Sequence, residues 1–130
     1  MDDLTALHTS PDGYWDVQCV APDVPGVLAQ VLEALEHAGL PLTGFSAFTG
    51  SGTAIIHLCT PAPEATKRAL RDSPVTVGRA RRARLVNLPH REGALGDLAA
   101  TLAGSGVNIE VCYLTHDPLA GTRLVVCLAD

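Results

Sequence analysis

The chain has 130 residues, of which 47% are hydrophobic and 18% are charged, and its formal net charge at pH 7 is −5. This composition excludes a disordered chain and permits one typical domain or two small ones. The negative charge argues against a general affinity for nucleic acid or acidic lipid, and no apolar run approaches the ~20 residues that span a bilayer.

The cysteines and the first residues of the chain predict a reducing compartment. None of the 4 cysteines forms a CxxC pair, and each lies in an apolar run. The start, MDDLTALHTS, is acidic and has no basic region before an apolar stretch. That is not the pattern of a secretory signal peptide, so we predict a cytoplasmic protein.

The first predicted elements are a strand and a helix. In YWDVQCV (14–20), apolar and polar residues alternate as they do in a half-buried strand. In PGVLAQVLEALEHAG (25–39), Gly26 opens and Gly39 closes an apolar stripe at helical spacing. This pattern predicts a helix over residues 27–38.

A hairpin, a second helix and a fourth strand are predicted next. LPLTGFSAF (40–48) leads through the glycine-rich TGSGT into AIIHLC (54–59). PEATKRALRD (63–72) is typical of a helix that ends before Pro74, and VTVGRA (75–80) is typical of a strand. The order β-α-β-β-α-β is the ferredoxin-like, or split βαβ, arrangement.

The second half of the chain repeats the helix of the first half 67 positions later. In EGALGDLAATLAGSG (92–106), glycines again open and close an apolar stripe, which predicts a helix over 94–104. Gly39 and Gly106 stand where a helix needs a left-handed residue to end. The repetition indicates two copies of one supersecondary unit.

A hairpin follows the second predicted helix as well. Its strands are predicted over 107–115 and 122–128. Matching Thr53 to Thr122 makes the connecting turn two residues longer than in the first copy. Since the sequence ends at Asp130, we expect the second copy to be truncated after its third strand.

The predicted fold is α+β, with two ferredoxin-like repeats, 14–80 and 81–130, whose helices lie on one face of antiparallel sheets. The repeat puts arginines where the first strand is apolar, so the matching strand either starts late, near Leu85, or turns out to solvent at its beginning. A three-stranded sheet needs cover. We expect it from residues 1–13, from the 75–84 segment or from a second chain, and favour a homodimer.

The repeat resembles the ACT domain, a small ferredoxin-like module that senses amino acids and related metabolites. In this family a loop of the kind DRPG(V/I)L follows the first strand, and the motif (A/G)G(V/I)NI opens the second strand. This sequence has PDVPGVL and AGLPL in the first copy, and PHREGAL and SGVNI in the second. The resemblance covers about residues 14–130 in tandem. It implies a regulatory protein without catalytic activity or cofactor, whose amino-acid ligand changes how it dimerises or docks on a regulated enzyme or another regulator.

The resemblance also implies a ligand site where the loop of one module faces the second strand of its neighbour. Exposed N–H groups and the positive helix end favour a carboxylate there. Asn108 stands at the position of a ligand-reading amide, whereas its counterpart Pro41 has no side-chain hydrogen bond, and Glu92 replaces the family's proline. We therefore expect one ligand per chain, near loop 89–95 and the start of the 107–115 strand. The expected contacts are Asn108, Ile109, His90, Arg91, Gly93, Ala94 and Leu95, with Asp23 and Gly26 from the first copy.

Three other interpretations stay open. The chain is alternatively a ligand-free module for dimerisation or partner binding, or, third, an enzyme of ferredoxin-like fold, although no catalytic motif is present.

Two pairs of residues have the alternate spacing of metal ligands on a strand: His57 with Cys59, and Cys112 with His116. Such cysteines are more often core residues. We interpret the basic cluster as a solvated edge between the copies rather than an anion site: Arg79, Arg81, Arg82 and Arg84.

Overall fold

The structure, a computed structural model, describes residues 13–129. Within these residues the chain has six strands and three helices, which confirms the α+β prediction. They divide into a first unit, residues 14–82, and a second unit, residues 83–129 together with Gly13. The elements are β1 (Tyr14–Pro22), α1 (Val27–His37), β2 (Gly44–Gly50), β3 (Thr53–Thr60), α2 (Pro63–Ala69), β4 (Thr76–Asn87), α3 (Ala94–Gly104), β5 (Ile109–Asp117) and β6 (Gly121–Leu128).

The first unit has the strand order of a ferredoxin-like sheet. β1 lies between β3 and β4, and β2 pairs with β3, which gives the order β2-β3-β1-β4. β1 and β3 run antiparallel, with Val17 opposite Leu58 and Cys19 opposite Ile56. All four side chains belong to one buried cluster, so every second residue of these strands faces the core.

The helix α1 covers this face of the sheet because its apolar residues recur at helical spacing. Val27, Val31 and Leu35 are buried in the same cluster. Gly26, which precedes the helix, has φ +91°, and Gly39, which follows it, has φ +67°, as predicted for a left-handed stop. None of the described helices is long and apolar enough to cross a membrane.

The second unit repeats this plan with three strands. β6 lies between β4 and β5, so the order β4-β6-β5 corresponds to β1-β3-β2 of the first unit. Leu102 of α3 packs with Leu124 and Val126 of β6 in a second buried cluster. Among the described residues this unit has no second helix and no fourth strand.

The strand β4 runs through the boundary between the two predicted repeats. The fourth strand predicted over 75–80 and the first strand of the second repeat form one strand of 12 residues. Within β4, the segment Arg84–Asn87 pairs with β6, which fits a late start of the second copy. The prediction of a solvated edge is wrong for Arg84, which lies opposite Val126 in this ladder. The Arg82 guanidinium lies 5.4 Å from the centroid of the Trp15 ring.

Several element boundaries differ from the prediction, among them those of β2, β5 and α2. β2 begins at Gly44 rather than at 40, because Pro41 has no N–H to donate to a strand ladder. β5 begins at Ile109 rather than at 107, since the Val107 N–H donates to the last turn of α3. α2 ends at Ala69, three residues earlier than predicted.

The β5–β6 turn is one residue longer than the β2–β3 turn, not two. Gly50 lies opposite Thr53 across a two-residue turn, whereas Asp117 lies opposite Gly121 across three residues. The match of Thr53 to Thr122 therefore shifted β6 by one position. The alignment matched two threonines that hold different places in their ladders, since Thr53 pairs with Gly50 whereas Thr122 pairs with His116.

Candidate functional site

Each unit has an open pocket at the same place in its fold. The pocket lies beside the loop before the first helix of the unit, the first turn of that helix, and the end of the hairpin. Its volume is about 420 Å³ in the first unit and about 590 Å³ in the second. In the second unit the lining consists of residues 88–92, Ala94, Leu95, Leu114, His116 and residues 120–122.

A left-handed glycine shapes the loop at each pocket. Gly93 immediately precedes α3 with φ +84°, close to the +91° of Gly26 before α1. A residue with an L side chain is strained in this conformation, whereas glycine, which has no Cβ, is not. The chain then enters the helix at once, and the Asp97 N–H donates to the Gly93 carbonyl at 2.8 Å. The first turn of α3 therefore presents the positive end of the helix dipole beside the loop.

Four of the predicted contacts line the second-unit pocket together: His90, Arg91, Ala94 and Leu95. Gly93 lies in the same loop between them. The prediction missed a wall that comes from the end of β5 and the start of β6. The strand order could have predicted this wall. Because β4 and β5 both pair antiparallel with β6, the turn of the β5–β6 hairpin lies at the end of the ladder where β4 ends. The missed residues include Leu114, His116 and Thr122.

Asn108 and Ile109 lie at the opposite end of the second unit. Ile109 pairs with Leu128, at the end of β6, whereas the Leu88 N–H donates to the Thr122 carbonyl, at the start of β6. At ~3.3 Å per residue, these two ends are about 20 Å apart along the strand. The expected site is therefore corrected. Within one unit, the loop before α3 does not meet the start of β5, because β5 runs toward that loop and not away from it.

Asp23 and Gly26 line the pocket of their own unit. The rest of that lining is largely apolar, and Asp23 is its only ionisable residue among those described. The second-unit lining has four residues that can carry charge: His90, Arg91, Glu92 and His116. The two pockets thus share a position and differ in chemistry.

Arg91 forms an ion pair at the second-unit pocket. Its Nη2 donates to Oδ2 of Asp97 at 2.9 Å, and its Nη1 donates to the Glu92 carbonyl at 3.3 Å. The side chains of Arg91 and Asp97 are 54% and 68% exposed. Solvent screens such a pair, which contributes about 0–1 kcal/mol to stability. The first unit has Val24 and Gln30 at the corresponding positions, and these two residues cannot form an ion pair.

Asp117 closes the turn that forms one wall of the second-unit pocket. Its Oδ1 accepts hydrogen bonds from the N–H groups of Ala120, at 2.8 Å, and Leu119, at 2.7 Å. These two bonds, the one from Ala120 first, lower the pKa of the Asp117 carboxyl, since they favour its charged form. The ionised carboxylate thereby fixes the three-residue turn.

A buried polar pair lies in the first unit, on the face of the sheet away from its apolar core. Nδ1 of His57 lies 2.8 Å from Oδ2 of Asp16, and both side chains are almost fully buried. The ring of Phe48 stacks on His57 with centroids 6.3 Å apart. These contacts hold the imidazole in one orientation.

The cysteines are mostly buried, and the metal alternative gains no support from their surroundings. Burial, and after it the charge of Asp16, raises the pKa of the Cys19 thiol to about 11, so this thiol stays protonated and unreactive at neutral pH. Cys59 and Cys127 are buried, and Cys112 is exposed. Among the described residues no three His, Cys, Asp or Glu side chains are grouped to hold a metal ion.

No protein-family model and no curated protein matches this sequence. Solved structures do match. Protein BT0572 from Bacteroides thetaiotaomicron is 20% identical, with a TM-score of 0.75 over 89% of this chain and 79% of that one. The ligand-free regulatory subunit of aspartate kinase from Thermus thermophilus is 16% identical, with a TM-score of 0.61 over 88% and 83%. Aspartokinase α and β subunits are 18% identical, with a TM-score of 0.63 over 89% and 83%.

These similarities, at 16–20% identity, concern the fold. Within the described residues this chain has two βαββ units, and the first helix of each unit follows a left-handed glycine. The chain therefore has the ACT-type fold, built from two ferredoxin-like repeats of which the second lacks a second helix and a fourth strand in the described residues.

Proposed function

We propose that this chain is a regulatory ACT protein that binds a small amino acid or a related metabolite and has no catalytic activity of its own. The repeats are residues 14–80 and 81–130, and the ligand binds to the second. The observation that carries the proposal is the second-unit pocket, where a helix start, an arginine and an apolar wall lie together. The fold that the chain shares with structures described as regulatory subunits supports it.

The chemistry of this pocket fits an amino acid. The guanidinium of Arg91 and the positive end of α3 favour a carboxylate, and the carboxylate of Asp97 beside that guanidinium favours an ammonium. Ala94, Leu95 and Leu114 supply apolar surface for a side chain. Leu95 and Leu114 are 47% and 51% exposed, so a ligand that covers them gains hydrophobic burial.

Asn108 and Ile109 take part in this proposal only through an assembly. Asn108 is exposed at the start of β5. A second copy that sets this end of β5 against the pocket brings the Asn108 amide to the ligand, in the manner that the resemblance to ACT domains implies. We therefore propose a cytoplasmic homodimer, in which the ligand changes how the dimer docks on a regulated enzyme or another regulator.

The test is a thermal-shift screen of the free amino acids with the full chain, followed by calorimetry of any amino acid that raises the melting temperature. A ligand at a hundredfold excess over its Kd adds roughly 2.7 kcal/mol, which raises the melting temperature of a domain of this size by roughly 3–6 °C. Absence of any shift overturns the proposal.

Two substitutions locate the site. Asn108→Ala should weaken binding by roughly 1–3 kcal/mol if the ligand meets this amide in the assembly, because it removes a donor and an acceptor. Pro41→Ala, at the corresponding position of the first unit, should leave the affinity unchanged. Full affinity of the Asn108→Ala variant removes Asn108 from the site while leaving the second-unit pocket as the binding place.

A ligand-free dimerisation or partner-binding module is the second candidate. Large apolar side chains on the surface favour it, since exposed apolar surface is typical of interaction sites. Light scattering separates the candidates: a dimer whose mass and melting temperature no amino acid changes is the result expected of a purely structural module. The exposed residues include Phe45, Phe48, Leu95, Leu114 and Leu119.

A further inference from the structure

We infer, on the basis of the proposed function, that Arg91 and Asp97 form an exchangeable ion pair that selects zwitterionic ligands at the second-unit pocket. Arg91 lines the pocket, and its guanidinium is held 2.9 Å from the carboxylate of Asp97. An arriving α-amino acid brings one carboxylate and one ammonium. The ligand carboxylate replaces Asp97 on the guanidinium, and the ligand ammonium binds the released Asp97 carboxylate.

Counting ion pairs shows why this exchange discriminates. With an amino acid, one pair becomes two, since both protein groups gain a partner on the ligand. With a simple carboxylate, Arg91 changes partner and Asp97 loses its own, so the number of pairs stays at one. With a simple amine, Asp97 changes partner and Arg91 loses its own. An amino acid is therefore favoured over a ligand that carries only a carboxylate or only an ammonium.

The geometry permits the exchange without unfolding. Both side chains are more than half exposed, so little free energy is lost when the pair opens. The backbone of Asp97 is fixed in α3, where its N–H bonds the Gly93 carbonyl at 2.8 Å and its carbonyl accepts from the Thr101 hydroxyl at 3.0 Å. Arg91 lies in the loop and has a long side chain, so the guanidinium can move toward the ligand while Asp97 stays.

The first unit provides an internal contrast. Val24 and Gln30 replace Arg91 and Asp97 there, so its pocket has no pair to exchange. Among the described residues, Asp23 is the one ionisable residue of its lining, and its carboxylate can meet an ammonium but no carboxylate. Selection for zwitterions thus belongs to the second unit alone.

The experiment uses ligands matched in their apolar part. Calorimetry on the full chain compares leucine with 4-methylpentanoate and 3-methylbutylamine, and alanine with propanoate and ethylamine. In at least one series the unsubstituted protein should bind the amino acid about tenfold more tightly than either analogue, the equivalent of one additional charged contact. If neither amino acid exceeds its analogues, the inference is overturned. If, in addition, no free amino acid raises the melting temperature, the proposed function fails with it.

Asp97→Asn is the decisive variant, because its two effects have opposite signs. It should weaken amino-acid binding about fivefold, since the ammonium loses a charged partner, and strengthen carboxylate binding, since Arg91 no longer has a competitor. A folding defect would weaken both ligands together. An unchanged ratio between amino acid and carboxylate overturns the exchange while leaving the proposed function intact.

Two further variants complete the set. Arg91→Gln should weaken the amino acid and the carboxylate but not the amine, because only the first two use the guanidinium. Glu33→Gln removes the same charge from an exposed position on α1, outside both pockets, and should leave all affinities unchanged. If Glu33→Gln reproduces the effect of Asp97→Asn, net charge rather than ion-pair exchange explains the selection, and the inference fails.

Discussion

The two units share one arrangement of strands and helices, although their side chains differ at nearly every equivalent position. In the first unit nine residues form the buried apolar cluster, and in the second unit four do. The first unit has a second helix, α2, after which Leu70 is fully buried in the cluster, and the second unit has no such element among the described residues. The comparison teaches that the apolar spacing of strand and helix is enough to repeat a fold, while the size of the core depends on which elements cover it.

The sheet face away from the apolar cluster differs in a second way. Aligning the two ladders puts Ala83 in the place of Asp16, and Val125 in the place of His57. All four side chains are buried. The same buried positions therefore hold a polar pair in one unit and two apolar residues in the other, which is possible because a paired polar group satisfies its hydrogen bonds internally.

The largest expected effect comes from breaking the buried pair. Asp16→Ala should lower the free energy of unfolding by about 3–5 kcal/mol, because His57 loses a buried carboxylate at 2.8 Å. The double variant Asp16→Ala/His57→Val reproduces the side chains of the second unit. It should be less destabilised, by at least about 1 kcal/mol, than the sum of the two single variants. Urea denaturation of the four proteins of this cycle measures the difference, and additive losses would show that the two residues do not act as a pair.

The cores can be compared through equivalent leucines. Leu35 of α1 and Leu102 of α3 lie 67 positions apart and are both buried. Each Leu→Ala variant should lose about 2–5 kcal/mol, and Leu35→Ala should lose more, because it opens a void in the larger cluster. Denaturation curves test the order, with Leu119→Ala as the control, since Leu119 is 99% exposed and its loss should stay within about 0.5 kcal/mol. A larger loss at Leu102 would reverse the comparison of the cores.

The glycines before α1 and α3 should behave alike. Gly26→Ala and Gly93→Ala should each cost about 1–2 kcal/mol, because alanine is strained at φ +91° and +84°. Crowding does not contribute, since a Cβ at Gly26 would meet no atom within 4 Å and one at Gly93 only the Arg91 guanidinium at 3.8 Å. Gly96→Ala is the matched control inside α3, with open space around its Cβ, and should stabilise the protein by about 0.5–1 kcal/mol. Melting temperatures that fall for all three variants would contradict this account.

The smallest expected effect is a pH dependence confined to one hairpin. The pKa of Asp117 is lower in the folded chain than its ordinary value, so its stabilisation is complete above the ordinary value and is lost as the pH falls through the lowered one. The amide resonances of Leu119 and Ala120 should move in that acidic range, while those of Ser51 and Gly52, in the turn of the first unit, should not. Asp117→Asn should abolish the movement. Equal movement in both turns would mean that the effect is not due to Asp117.

Much of the fold follows from local sequence. Apolar residues at helical spacing between two glycines predicted α1 and α3, and strand-like segments on either side of a turn predicted the two hairpins. The 67-residue shift aligned the first three elements of each unit correctly. It failed at the turn after β5, where a match of threonines suggested two extra residues and the ladder contains one.

The candidate site was predicted in part, for a reason of geometry. Residues 90–95 are neighbours in sequence around a glycine that opens a helix, so local pattern alone could bring them together. Leu114 and His116 line the same pocket only because β5 ends beside the loop that precedes α3. Asn108 was assigned to the same pocket from resemblance, and the strand direction puts it about 20 Å away within its unit.

The sequence by itself determined where helices and strands form and that the pattern occurs twice. Both depend on the spacing of apolar residues and on glycines that can adopt positive φ angles. The tertiary structure decided what contacts are made across the sheet. It fused two predicted strands into β4, buried Asp16 against His57, and brought the end of β5 rather than its beginning to the loop before α3. Such contacts depend on strand order and register, which join residues that are distant along the chain and so leave no periodic signal in it.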